Sequence, residues 1–244
     1  MGRELVRMGH EVHVVTPKHG DQQRVENLDG MVVHGTSFRE TLLSGPILRE
    51  ISADIYLSQE PSLPSYAAQR ACPNARHIIV CRDPRGAADI LVELRYATMG
   101  RRLRFPFQYV YEFQPLVKLA VRRADRVLMP TPTYLRQKIQ RLYGMDVEPQ
   151  FVPSTYLTGQ PPALPKASRP TFISVGRWDR RKRMDIFFQL AEQRPNYEFI
   201  AVGRAHSQRE DRRYRTQYEE LPNLHMPGHV DLFSGRLWDY YDTS

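Results

Sequence analysis

The stretch from Thr171 to Ala191 constrains the fold most strongly, because it changes from a strand pattern to a helix pattern within one short segment. It opens with an apolar run that favours a β-strand, and it turns at Gly176. From Met184 onward the apolar residues recur at intervals of three and four, which is the period of an amphipathic helix. A strand, a glycine turn and a helix in this order predict one unit of an α/β sheet.

The loop between this strand and this helix is strongly basic. Five of the seven residues from 177 to 183 are arginine or lysine. A glycine turn before a helix N-terminus presents backbone N–H groups and a positive dipole to an anion, and Arg177 and Lys182 would add fixed charge there. The segment therefore predicts a phosphate site, although a solvated helix start or a basic patch for nucleic acid has the same composition.

The composition excludes several classes of protein. The 244 residues suffice for one large or two medium domains. The two cysteines, Cys72 and Cys81, give neither a disulfide framework nor a metal-ligand spacing, which favours a reducing compartment. No apolar run approaches the length of a bilayer span. The net charge of +8 indicates an acidic partner, but the arginines are spread along the chain without any RNA-binding or zinc-finger signature, so no nucleic acid is expected.

Strand-like and helix-like segments also alternate along the first part of the chain. The pattern predicts strands at 12–15, 31–34, 54–57, 77–81 and 127–129, with helices at 46–51, 65–71 and 107–123. This alternation is typical of a doubly wound parallel sheet, in which binding groups lie at the carboxyl ends of strands. Asp83 follows one such strand, where it either contacts a ligand or caps the turn before Pro84.

Two segments resemble retaining glycosyltransferases of the GT-B fold. Residues 175–177 read V-G-R and are followed by Lys182, which is similar to the family's V-G-R-L-x-x-x-K-G. The sequence RMGHEVHVVTP, from Arg7, is similar to the family's R-G-H-E-V-x-V-x-T. Trp178 replaces the usual aliphatic residue, and Arg183 replaces the glycine that follows the lysine.

The resemblance implies an α/β protein of GT-B type, with two Rossmann-like, doubly wound parallel-sheet domains. The first domain would span residues 1–158 and a proline-rich linker residues 159–170, and the second, incomplete domain would span residues 171–244. The family's first strand and its pair of spaced glutamates have no counterpart in this sequence. We therefore expect a chain that is truncated at both ends.

The resemblance also implies roles for individual residues. The diphosphate of a nucleotide-sugar donor would be bound by Gly176, Arg177 and Lys182. Asp83 would lie near the donor sugar. His206 and Val230 would line the nucleotide base, with ordinary loop packing as the alternative for both. No catalytic residue and no metal ligand is assigned.

The expected activity is the transfer of a hexose from a nucleotide diphosphate sugar to a glycan, lipid or small-molecule acceptor, without a cofactor. Two alternatives remain open: a sugar-nucleotide epimerase of the same fold, which needs acid and base carboxylates, and a non-catalytic nucleotide- or nucleic-acid-binding remnant. We expect a cytoplasmic protein. The basic loop at 86–106 is expected either to face water or to contact an acceptor or, peripherally, the inner face of the membrane.

Overall fold

A computed structural model describes residues 1–18, 20–96, 115–130, 132–147, 167–178, 182–205, 207–231 and 234–241. The chain divides into two compact units, Met1–Ser154 and Thr155–Ser244. The predicted linker lies outside the described residues except for positions 167–170, and so does the basic loop from residue 97 onward. The predicted boundaries of domains and linker therefore stay predictions.

The first unit contains a three-stranded sheet with one antiparallel edge. Strands β1 (His13–Pro17) and β3 (Met31–Thr36) are parallel, and β2 (Val25–Leu28) pairs with β3 in the antiparallel direction. Asp29 and Gly30 connect β2 to β3 with φ angles of 54° and 80°, which are the left-handed conformations of a two-residue hairpin turn. The sequence interpretation placed no strand at β2, although Asp-Gly is the dipeptide such turns prefer.

A second three-stranded sheet of the first unit is wholly parallel. It consists of β4 (Ile55–Ser58), β5 (Arg76–Val80) and β6 (Arg126–Leu128), in the order β4-β5-β6. Each of these strands lies within one residue of its predicted position at either end. The carboxyl ends of β4 and β5 are therefore neighbours, which brings the segments after Ser58 and after Val80 together.

Helices connect these strands, as the alternating pattern predicts, but the structure has a helix at Ala87–Tyr96, where the sequence interpretation placed the first part of a basic loop. The first unit has the helices α1 (Gly2–Arg7), α2 (Phe38–Leu42), α3 (Gly45–Ile51), α4 (Leu63–Ala71), α5 (Ala87–Tyr96), α6 (Pro115–Arg123) and α7 (Pro132–Tyr143). The main core cluster joins β5 and β6 to α6 and α7 and includes Ile79, Val121, Met129 and Ile139. A smaller cluster around Tyr56 and Ala68 packs α3 and α4 on β4.

The second unit alternates strands and helices without interruption. Its elements are β7 (Thr171–Val175), α8 (Met184–Gln193), β8 (Glu198–Val202), α9 (Gln208–Tyr218), β9 (Leu224–Gly228) and α10 (Trp238–Tyr241). The three strands are parallel and lie in the order β7-β8-β9. This arrangement confirms the prediction of an α/β protein with Rossmann-like parallel sheets.

The predicted apolar stripe of α8 faces the core of the second unit. Met184, Phe188 and Ala191 are buried, and Phe187 packs against the same cluster. Phe188 stacks on Tyr218 of α9 with ring centroids 5.2 Å apart. Apolar residues at a helical period thus bury one side of α8, as the sequence indicates.

None of the helices in the described ranges is long and apolar enough to cross a membrane.

Candidate functional site

Each strand of the second unit ends at a glycine whose backbone has a positive φ angle. Gly176 follows β7 with φ 156°, Gly203 follows β8 with φ 136°, and Gly228 is the last residue of β9 with φ 84°. Because the strands are parallel, all three glycines lie at the carboxyl edge of one sheet. Residues with a side chain adopt these conformations at a cost, which explains the glycine at each position. Because glycine has no side chain, a ligand can approach the backbone closely at this edge.

Backbone hydrogen bonds join the turns at this edge. The N–H of Gly176 donates to the carbonyl of Val202 at 3.0 Å, and the N–H of Gly203 donates to the carbonyl of Gly228 at 2.7 Å. A Cβ atom on Gly203 would overlap the carbonyl oxygen of Gly176. The turns after β7 and β8 therefore pack together without room for a side chain at Gly203.

The two predicted phosphate-binding cations flank this edge. Arg177 directly follows Gly176 and is exposed, and Lys182 is exposed two residues before the start of α8. The structure thus brings Gly176, Arg177 and Lys182 into the single segment that connects β7 to α8. Solvent-accessible cations at the carboxyl edge of a parallel sheet suit the binding of an anion.

The N-terminus of α8 already has a carboxylate of its own. Asp185 lies in the first turn of α8, where the N–H of Ile186 donates to the carbonyl of Arg183 at 3.0 Å. Arg183 also binds the carboxylate of Asp185 at 3.1 Å, and this hydrogen bond lowers the pKa of Asp185. The expectation that this helix offers its first N–H groups to an anion stays a prediction, and a bound anion would meet the negative charge of Asp185 in the same turn.

Trp178, which replaces an aliphatic residue of the resembled motif, anchors the segment to the core. Its side chain is fully buried and meets Phe188 edge to face, with ring centroids 5.6 Å apart. The guanidinium of Arg215 lies 5.4 Å from the centroid of the Trp178 ring and also pairs with Asp211 of α9 and with Glu219, the residue directly after α9. These contacts fix the backbone immediately after Arg177.

The first unit also has polar residues directly after the carboxyl ends of β4 and β5. Asp83 is exposed in the turn after β5, whereas the next residue, Pro84, is fully buried. The guanidinium of Arg82 donates a hydrogen bond to Oε1 of Gln59, the residue directly after β4, at 3.0 Å. Among the described residues, the carboxylate of Asp83 accepts no hydrogen bond that would make it the cap of its own turn.

The contact between Gln59 and Arg82 was missed by the sequence interpretation. A single glutamine carries no periodic or motif signal by itself, and Arg82 is distant from Gln59 in the chain. The available signal was its position directly after a predicted strand, where polar groups of a parallel sheet converge.

Of the remaining candidates, Val230 lies two residues after β9 and is half-buried, at the same edge of the sheet as Gly176. His206 lies outside the described residues. In the ranges that the structure covers, no three side chains are grouped in a way that could hold a metal ion.

A family model described as Glycosyltransferase Family 4 matches residues 1–153. A comparison with curated protein sequences finds no significant match.

Several solved structures have a similar fold. A glycosyltransferase from Rickettsia africae ESF-5 is 11% identical with a TM-score of 0.60, and the match covers 100% of this chain and 65% of that chain. The catalytic domain of starch synthase IV from Arabidopsis thaliana, bound to ADP and acarbose, is 13% identical with a TM-score of 0.60, covering 100% of this chain and 71% of that chain. The chain thus spans about two thirds of the length of these two proteins. At these identities the likeness shows the fold alone.

Proposed function

The match over more than half of its length shows that the chain belongs to Glycosyltransferase Family 4, and from this premise we propose that the protein transfers a hexose from a nucleotide diphosphate sugar to an acceptor. The acceptor would be a glycan, a lipid or a small molecule. The second unit would bind the donor through its diphosphate.

The carboxyl edge of the sheet β7-β8-β9 is the observation that carries this proposal. Ligands of open parallel sheets bind at the carboxyl ends of the strands. Here three glycine turns expose backbone at that edge, and Arg177 and Lys182 lie beside them. Phosphate oxygens suit both cations, since the planar guanidinium binds two oxygens at once and the ammonium adds a mobile point charge.

Catalysis in this proposal is electrostatic. Negative charge grows on the diphosphate as the bond to the sugar breaks, and cations already held at that position stabilise the charge. Arg177 and Lys182 would supply them, so the reaction as proposed requires no metal ion and no other cofactor. Because Asp185 places a negative charge in the first turn of α8, the diphosphate would depend more on these two side chains than on the helix N-terminus.

The sugar and the base would be contacted by other residues. Asp83, exposed at the exit of β5, would accept hydrogen bonds from sugar hydroxyl groups. Val230 would pack against the base, because it follows β9 at the edge that carries Gly176. His206 keeps its proposed place beside the base, although it lies outside the described residues.

A cytoplasmic location is part of the proposal, with peripheral contact at the inner face of the membrane where the acceptor is a lipid. Both cysteines are free thiols, which suits a reducing compartment.

Calorimetric titration of the full chain with UDP, GDP and ADP tests the donor site. We expect Arg177→Ala and Lys182→Ala each to weaken binding of the preferred nucleotide by about tenfold or more, because a hydrogen bond to a charged group contributes roughly 1.5–3 kcal/mol. Arg194→Ala is the matched control, since Arg194 is exposed at the opposite end of α8. Unchanged affinity in both site variants would remove these residues from the site.

Product analysis separates transfer from epimerisation. After incubation with a nucleotide sugar and a panel of acceptors, transfer yields a new glycoside and free nucleoside diphosphate. An epimerase yields a free or nucleotide-bound epimer in the absence of any acceptor, and that product would contradict the proposal.

A further inference from the structure

The tripeptide Val-Gly-Arg occurs twice in the second unit, at the carboxyl ends of two neighbouring strands. One copy is residues 175–177 and the other is residues 202–204, and in each copy the valine is the last residue of a strand, β7 or β8. The two valines are partners in the parallel ladder of these strands. The two copies therefore lie side by side in register, and Arg204 is the counterpart of Arg177.

Hydrogen bonds hold the backbone of Arg204 on both sides. Its carbonyl accepts a hydrogen bond from the N–H of Trp178 at 3.0 Å, and the N–H of the next residue, Ala205, donates to the carboxylate of Asp211 at 2.9 Å. Trp178 is fully buried, and Asp211 is itself held by an ion pair with Arg215 at 3.1 Å. The main chain at position 204 is therefore fixed by the fold before any ligand binds.

The side chain of Arg204, by contrast, is exposed, and within the described ranges no carboxylate pairs with it. Arg183, in the same unit, does have such a partner in Asp185. Like charges at opposite positions of neighbouring strands repel each other, so placing Arg204 beside Arg177 costs the fold stability. An anion bound by both side chains would offset that cost, which gives the pair a reason that the fold alone does not supply.

The order of the strands places Arg204 between two other parts of the proposed donor site. It follows β8, the middle strand of the sheet, whereas Arg177 follows β7 on one side and Val230 follows β9 on the other. In a nucleoside diphosphate, the α-phosphate lies between the base with its ribose and the terminal phosphate. Neighbouring strands are about 4.8 Å apart, so three consecutive strand ends suit three consecutive groups of one nucleotide.

We propose that Arg204 binds the α-phosphate of the nucleotide, while Arg177 and Lys182 bind the phosphate farther from the ribose. This inference rests on the proposed function, because it divides the diphosphate of that donor among named cations. The planar guanidinium of Arg204 can bind two phosphate oxygens at once. Because its backbone is already fixed, only the side chain has to be ordered when the nucleotide binds.

Calorimetric titration of the full chain with UDP, GDP and ADP and with the matching monophosphates tests this assignment. We expect Arg204→Ala to weaken binding of the preferred diphosphate about tenfold or more, and to weaken the monophosphate by a similar factor, because both ligands carry the α-phosphate. Arg177→Ala should weaken the diphosphate more than the monophosphate. Arg204→Lys, which keeps the charge but not the planar guanidinium, should retain part of the affinity for both.

Arg194→Ala is the matched control, because Arg194 is exposed shortly before β8, whereas Arg204 follows its carboxyl end. This variant removes the same charge from the same unit at the opposite edge of the sheet, and both affinities should stay unchanged. The melting temperature without ligand separates binding from a structural role. Arg204→Ala should melt at or above the temperature of the wild-type chain, since it removes a repulsion, and a lower melting temperature would overturn the proposal.

The two proposals fail in different ways. If Arg177→Ala and Lys182→Ala weaken diphosphate binding but Arg204→Ala does not, the role of Arg204 is wrong and the donor site stands. If Arg204→Ala weakens the diphosphate and leaves the monophosphate unchanged, its assignment to the α-phosphate is wrong. If the nucleotides do not bind the wild-type chain, the proposed function fails, and the role of Arg204 fails with it.

Discussion

At the scale of single residues, Arg183 departs from the resembled motif at a position where the backbone favours glycine. Its φ angle is 53°, in the left-handed region, directly before the first residue of α8. A residue with a Cβ atom adopts this conformation at a cost of roughly 1–2 kcal/mol, which glycine avoids. The ion pair with Asp185 offsets little of that cost, because both side chains are largely exposed.

We predict that Arg183→Gly is more stable than Arg183→Ala by about 0.5–1 kcal/mol. Glycine relieves the backbone strain of the left-handed conformation, but its greater chain entropy in the unfolded state cancels part of that gain. Both variants lose the ion pair with Asp185, so their difference isolates the backbone conformation. Denaturant unfolding followed by the fluorescence of Trp178 and Trp238, the tryptophans of the second unit, measures it. Equal stability of the two variants would show that position 183 does not require a left-handed conformation.

At the scale of secondary-structure elements, Asn223 connects three elements of the second unit. Its buried side-chain amide donates to the carbonyls of Ala191, Arg194 and Tyr197, at 2.9, 3.1 and 3.0 Å. The first two carbonyls belong to the end of α8, where backbone acceptors have no partner within the helix. One side chain directly before β9 thus supplies hydrogen-bond donors to the carbonyl groups at the end of α8 and to the carbonyl group directly before β8.

We predict that Asn223→Ala destabilises the second unit by about 1–3 kcal/mol, since it leaves buried carbonyls without donors. Asn223→Asp should cost more at neutral pH, because its carboxylate would face three carbonyl oxygens in a buried place. The folded state would favour the protonated carboxyl and raise its pKa, so Asn223→Asp should regain stability as the pH falls. Melting curves at several pH values measure both effects.

The exposed Asn196 provides the matched control, because it lies shortly before β8, as Asn223 lies before β9, and makes none of these contacts. Asn196→Ala and Asn196→Asp should change the melting temperature little. A response of Asn223→Asp that does not depend on pH would contradict the role of the carbonyl cluster.

At the scale of the whole molecule, the hydrophobic clusters belong to one unit or the other. The cluster around Met129 and Ile139 and the one around Tyr56 lie in the first unit, and the cluster around Trp178 and Phe188 lies in the second. No described residue is shared between the clusters of the two units. Damage to the second core should therefore leave the first intact.

We predict that Gly203→Ala destabilises the second unit, whereas the first unit keeps its protection against hydrogen exchange. The added methyl group would overlap the carbonyl oxygen of Gly176, and φ 136° disfavours any side chain. Hydrogen exchange measured by mass spectrometry should show faster exchange in β7 to β9 and unchanged exchange in β5, α6 and α7. Gly176→Ala is the control: it shares the positive φ but has open space around the added atom, so its effect should be smaller.

Faster exchange in both units after Gly203→Ala would show that their stabilities are coupled. Unchanged exchange in both would show that the turn after β8 tolerates a side chain.

The sequence determined the local architecture of this protein, because the spacing of apolar residues along the chain specifies strands and amphipathic helices. The apolar period of α8, the strands β5 and β7 and the glycine after β7 could all be read without coordinates. The motif at Gly176, Arg177 and Lys182 also placed the candidate diphosphate site in one segment. In each case the signal and the structure it specifies lie within the same few residues.

Only the tertiary structure decided which distant groups meet. The hydrogen bond between Arg82 and Gln59 depends on β4 lying beside β5, and those of Asn223 depend on how β9 brings it to the end of α8. Strand order and side-chain direction, which no local pattern encodes, fix these contacts and with them the shape of the candidate site.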